Sequence, residues 1–349
     1  MESVKIARSR ALKLFREKLG YAVLHLNSII VGLCAVGSGK ATRPAELSIS
    51  WAPGNLAREE TLARGFAIRS LMVTAYDALD HYLYDIAAIP SPIRSEITRS
   101  ILLREMEHTA SSKALADNDI QALALALGEY KDNQHELRKV LKEFTDKFCG
   151  KVKRPSIRRR LECLFEYCSQ VPKNSCHPSM PRGSYYSSVE LILAWRNVLV
   201  HDPETDQLGS NALNVLRQDS EYFLANHAQT DIESLIARYE EHACPTLKDV
   251  STLVSVLNRF VASIDAILIS QCDAESLFIE AVNYENCRGN INFSGMGSTE
   301  KLLRVAMSLA APYGFVKSDA QVKKNNFKGV TFELDGRSLQ AKLAQIPPP

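Results

Sequence analysis

Arg196, Asn197 and His201 stand in the run ELILAWRNVLVHDPE (190–204), among Leu191, Ile192, Leu193, Trp195, Val198, Leu199 and Val200. A charged fork inside an apolar helical run calls for a reason, because desolvating a cation is costly. On a wheel of 100° per residue, Asn197 lies about 100° and His201 about 140° round from Arg196. Asn197 and His201 are also i,i+4 neighbours, so their side chains can meet. Pro203 disfavours helix at Asp202 and places His201 in the last turn. One helix end then offers a bidentate cation, an amide and an imidazole.

That set suits a phosphodiester. Arginine forks onto phosphate oxygens. Histidine can take a proton from a 2′-hydroxyl or give one to a 5′-leaving oxygen. Asparagine can orient the imidazole or hold the backbone. RNA carries its own nucleophile, so this chemistry calls for no metal and no cofactor. One imidazole cannot easily be base and acid at once. Two copies across a twofold axis supply one of each, so a homodimer is expected. The competing reading is a helix-end salt-bridge set, with His201 near Asp202 or Glu204 and Arg196 on Glu190 or another carboxylate.

Helical periodicity must position these groups. Residues 3–19 and 21–36 read as two helices, and the apolar 21–37 stretch (YAVLHLNSIIVGLCAVG) reads as a buried helix rather than a membrane span. GSGK (37–40) reads as a helix stop, because the spacing of a phosphate-binding loop fails. A long helix over 56–88 carries Ile68, Leu71, Met72, Ala75, Leu79, Tyr82, Leu83 and Ile86 at three- and four-residue steps. Helices follow near 93–108, 117–130, 134–148, 156–169, 185–201, 208–226, 230–241, 246–271 and 299–310. Residues after about 285 read as loop-like, then α+β, with Asp335-Gly336 as a hairpin signal. The division expected is an N-terminal helical extension (1–55), a helical domain (56–272) and a small α+β segment (285–349).

The 349 residues are 46% hydrophobic and 23% charged, a globular composition. A net charge of +2 excludes a strongly basic nucleic-acid coat but allows a local basic site. Eight cysteines show no CxxC pair, and the start shows no leader peptide, so reduced thiols in a cytoplasmic protein are expected.

RNVLVH (196–201) and TAYDALDHYLYDI (74–86) together resemble the HEPN superfamily. Its ribonucleases carry Arg, a polar residue that is often Asn, three or more further residues, then His. Several HEPN families carry ALE-x-YL on a long core helix; here ALDHYL puts Asp80 at the acidic place. The resemblance covers about 56–272. It implies a mainly α fold, a HEPN-like helical bundle that dimerises with a composite cleft. It also implies a metal-independent endoribonuclease that leaves a cyclic phosphate, with Arg196, Asn197 and His201 as its catalytic residues and Asp80 as a supporting acid. Many members are toxins or anti-phage defence effectors, which implies RNA, a second copy, and an antitoxin or sensor protein as partners, with no membrane. Other members are non-catalytic modules that bind a nucleotide or a protein, which is the alternative.

Two other clusters are weighed. KVKRPSIRRR (151–160) holds Lys151, Lys153, Arg154, Arg158, Arg159 and Arg160, and reads equally as an RNA guide or a solvated helix start. Cys163, Cys168, Cys176 and His177 do not match the spacing of structural zinc sites and read as buried thiols.

Overall fold

Val4 and Ile6 are buried while Glu2, Ser3 and Lys5 are half-buried, the two-residue alternation of a strand. The computed structural model describes residues 2–40, 54–104, 155–170, 178–201, 208–289, 293, 298–318 and 329–344. Their order is β1 (Glu2–Ile6), α1 (Arg10–Gly37), α2 (Leu56–Asp85), α3 (Glu96–Leu102), α4 (Ile157–Ser169), α5 (Gly183–Val200), α6 (Ser210–Gln218), α7 (Ser220–Asn226), α8 (Ile232–Glu240), α9 (Leu247–Gln271), α10 (Ala274–Gly289), α11 (Thr299–Ala310), β2 (Phe315–Lys317), β3 (Val330–Leu334) and α12 (Gly336–Ala344). The fold is mainly α with one small antiparallel sheet.

The chain forms two compact units from non-consecutive segments. The first holds residues 1–12, 82–180 and 264–349, the second 13–81 and 181–263. The expected helices at 117–130 and 134–148 lie outside the described residues.

In the first unit the sheet order is β2-β1-β3, so the N-terminal strand is central. Val4 pairs with Lys317 on one side and Phe332 on the other. This corrects the helix expected from residue 3. Val4 and Ile6 join Phe278, Val282, Leu302, Phe315 and Leu334 in one apolar core. The Phe278 ring meets Phe315 edge-on at 5.2 Å. Asp335-Gly336 is not a hairpin turn: Ser338 N–H donates to Asp335 Oδ2 at 3.0 Å, so the aspartate caps α12.

Asp265, fully buried, ties β1 to the start of α1. Its carboxylate accepts from Ser9 N–H at 2.9 Å and from the Ser9 hydroxyl, and Leu12 N–H donates back to Ser9 Oγ at 3.0 Å. The Tyr82 hydroxyl donates to Asp265 Oδ1 at 3.5 Å. Burial, then the Asp265 charge, pushes the Tyr82 phenol well above its usual range.

In the second unit the periodic stripe of α2 is buried as expected from Ile68 through Leu79. Helix α1 stops at Gly37, with Gly39 at φ 69°. The buried helix expected over 21–37 is corrected. Residues 21–37 are helical, but of these only Leu26 and Ile30 are buried. Within the same unit His227 is 4% exposed, with Nε2 3.2 Å from Tyr185 Oη, which also accepts from Arg259 Nη1 at 3.4 Å. Burial, and then the Arg259 charge, lowers its pKa from the usual 6.5.

Two stability predictions follow from these buried groups. Asp265→Ala should lower the unfolding free energy in urea titration by about 2–4 kcal/mol, because three donors lose their acceptor. His227 is neutral in both states above pH 6.5, so it gives no slope there. Below that pH the unfolded chain takes up a proton that the native site resists, so stability falls with acid. His227→Gln should flatten that fall in denaturation midpoints measured from pH 7 downwards.

Candidate functional site

Helix α5 is apolar nearly all round. Ser184, Tyr185, Ser187, Ser188, Val189 and the run Leu191–Trp195 are buried, as expected of a helix enclosed by its neighbours. Trp195 is fully buried, donates Nε1–H to Ala243 O at 3.1 Å and meets the Tyr239 ring edge-on at 5.9 Å. One residue later the environment changes. Arg196 to Leu199 are half-buried, and Val200 and His201 are exposed.

His201 is the C-cap of α5, not a residue of its last turn. Its backbone is extended (φ −122°, ψ −173°), while its N–H still donates to Asn197 O at 2.7 Å. The extended backbone turns the imidazole towards Arg196. The Asn197 and His201 side chains are linked through Arg196. Arg196 Nη1 bridges them, 3.1 Å from Asn197 Oδ1 and 3.1 Å from His201 Nε2.

A guanidinium has donors only, so His201 Nε2 must accept in this contact. In the neutral ring this contact puts the proton on Nδ1 and turns the Nε2 lone pair to Arg196. Arg196 also stacks on Tyr76 of α2, its Cζ 4.5 Å from the ring centroid. Among the described residues Arg196 contacts Asn197, His201 and Tyr76, so Glu190 does not hold it. Its Nε is buried with no hydrogen-bond partner. Because Nε is closed to solvent, an incoming anion reaches the guanidinium through its outer nitrogens. An anion is the natural complement of such a cation.

Tyr76 was not among the residues expected at the site, although it lies in the quoted TAYDALDHYLYDI stretch. Asp80 is half-buried one turn further along α2, so it shares the Tyr76 face. Asp202 and Glu204 lie outside the described residues.

No protein-family model matches the chain, and no curated protein or solved structure matches it.

The expected basic strip is corrected in part. Arg160 is 1% exposed and donates Nη1–H to Leu102 O at 3.3 Å. It falls on the buried stripe of α4 with Ile157, Leu161, Leu164 and Cys168, so it cannot meet an RNA backbone. Arg159 pairs with Glu162 at 3.1 Å, and Arg158 is half-buried. Lys151, Lys153 and Arg154 lie outside the described residues. Cys163 and Cys168 are free thiols, the latter pushed up to about 12 by burial. Cys176 and His177 lie outside the described residues. No metal-ligand cluster occurs among the described residues.

The tautomer is directly observable. In nitrogen-15 spectra at pH 8, His201 should show its proton on Nδ1. Arg196→Ala should shift the ring towards the Nε2–H form usual for a free histidine. An unchanged tautomer in that variant would mean the Arg196 contact does not hold the ring.

Proposed function

We propose that the tip of α5 is the catalytic site of a metal-independent, HEPN-like endoribonuclease. The observation that supports it best is the Arg196 bridge. One guanidinium nitrogen holds both Asn197 and His201, and no carboxylate pairs with Arg196 among the described residues.

The chemistry follows from the donors. A scissile phosphate takes the outer nitrogens of Arg196 and draws the guanidinium off His201. His201 Nε2 then accepts the proton of the 2′-hydroxyl. The 2′-oxygen forms a bond to phosphorus, the bond to the 5′-oxygen breaks, and that oxygen takes a proton from the His201 ring of a second copy, a ring that has left its own Arg196 and taken a proton from solvent. The products are a 2′,3′-cyclic phosphate and a 5′-hydroxyl. Arg196 stabilises the charge on the phosphorane-like transition state, and Asn197 keeps the guanidinium in plane with the site. Tyr76 supports the face of Arg196. The homodimer supplies the acid–base pair, and the resemblance suits a toxin or an anti-phage defence effector acting on cytoplasmic RNA.

Cleavage of an unstructured RNA by purified protein in excess EDTA tests this. His201→Ala and Arg196→Ala should each reduce the rate by about a hundredfold or more, a usual scale for losing acid–base or charge stabilisation. Circular dichroism should remain that of the parent. Unaltered cleavage by both variants would refute the assignment.

A further inference from the structure

From residue 13 onwards α1 belongs to the second unit, as does α2 up to residue 81. No Asp, Glu, Lys or Arg stands between Lys18 and Lys40. Residues 19–37 therefore give about 28 Å of helix without a charge, at 1.5 Å per residue. Among the described residues two helices are long and apolar enough to cross a membrane, α1 and α9. Burial covers 72% of the apolar stretch of α9 but only 17% of that of α1. The interior of the protein accounts for the composition of α9 and not for that of α1.

The open side is one face of this one helix. On a wheel of 100° per residue, Tyr21, Leu24, Val31 and Ala35 fall within about 60° of Ser28. The buried Leu19, Leu26 and Ile30 fall within about 20° of the opposite side. Val31 is 72% exposed, Tyr21 63% and Leu24 58%. Helix α2 covers the opposite side and runs antiparallel to α1. Arg64 Nη2 is 3.5 Å from Cys34 Sγ, Gly37 stands against the Glu60 side chain, and Leu26 and Leu71 line one groove. That groove holds about 250 Å³. Buried Leu26, Ala67 and Leu71 line it together with Lys18, Tyr21 and His25. Apolar walls with an ammonium, a phenol and an imidazole beside them match an acyl chain joined to an anionic headgroup.

We infer that α1 lies along the surface of a phospholipid bilayer, with the face centred on Ser28 sunk to the upper acyl chains, about 5–10 Å deep. The helix does not cross the bilayer. Glu59, Glu60, Arg64 and Arg69 of α2 run beside it, and those charges cannot follow it into hydrocarbon. Lys18 and Lys40 close the uncharged stretch at its two ends, where their ammonium groups reach lipid phosphates. The ring of Tyr21 suits the boundary between headgroup and chain. A protein partner would find no charge along this face to set its register, whereas lipid needs only apolar depth with cations at the edge. This departs from the absence of a membrane that the family resemblance implies. It is argued from the face itself and does not rest on the nuclease reading.

Flotation of the full chain with phosphatidylcholine–phosphatidylglycerol vesicles tests it. The wild type should float with the vesicles, and should still do so in about 1 M salt, where charge attraction is screened. Leu24→Glu with Val31→Glu, at positions already open to water, should weaken binding by at least ~100-fold with an unchanged circular dichroism spectrum. Leu224→Glu, at an exposed leucine of α7, should float like the wild type. The fluorescence of a Leu24→Trp variant should shift to the blue on vesicles, with stronger quenching by bromines high on the acyl chains than by bromines at their ends. A wild type that stays in the soluble fraction, single or self-associated, overturns the inference. So does flotation that survives the double glutamate substitution or is lost in salt. Strongest quenching from the chain ends overturns it too, because the helix then spans.

Discussion

Helix α5 is enclosed through Trp195, and that enclosure decides where Arg196 can go. The indole is fully buried and hydrogen-bonded to Ala243 O, so the turn that carries Arg196 cannot rotate without breaking the core. A long, flexible arginine normally loses much rotamer entropy when it is fixed. Here the loss is met during folding, by the Tyr76 ring on one face and Asn197 Oδ1 in its plane. Rigid support beneath and polar groups at the rim are what a preorganised site needs.

The same geometry links structure to chemistry. His201 leaves the helix at its C-cap, so its ring swings towards Arg196 instead of stacking on Asn197. The contact stores a neutral imidazole with its acceptor nitrogen occupied by a cation. A phosphate competes for that cation, so substrate binding and release of the base are one event in the proposed reaction. An acidic partner on Arg196 would have defeated this, since a neutralised guanidinium gains little from an incoming anion.

The sequence was most readable where periodicity ran long. Seven positions of the expected stripe are buried on α2 and the eighth, Ile86, is buried just past its end, and the expected helix over 299–310 is observed as α11. Arg196, Asn197 and His201 converge as expected, though through a bridge that wheel angles cannot show. The misses share a cause: each depended on a partner distant along the chain. β1 has only Val4 and Ile6 to signal alternation, next to a strongly helical run, and its partners are β2 and β3 at the other end of the chain. Arg160 looked solvated from charge alone, while its place on the α4 stripe buries it. Asp335 could start a turn or cap a helix, and only the following helix decides. The apolar run of α1 announced a helix but not whether anything covered it. Tyr76 carried no local mark of its contact with Arg196.

The central claim is that the imidazole and the guanidinium on one helix tip cut RNA through the substrate's own 2′-hydroxyl. A DNA oligonucleotide carrying a single ribonucleotide tests it most directly, with products sized and their termini identified by mass spectrometry in the presence of EDTA. The account predicts one cut, directly after the ribose, leaving a 2′,3′-cyclic phosphate and a 5′-hydroxyl. Cleavage at deoxyribose linkages, or a 3′-hydroxyl with a 5′-phosphate, would contradict it.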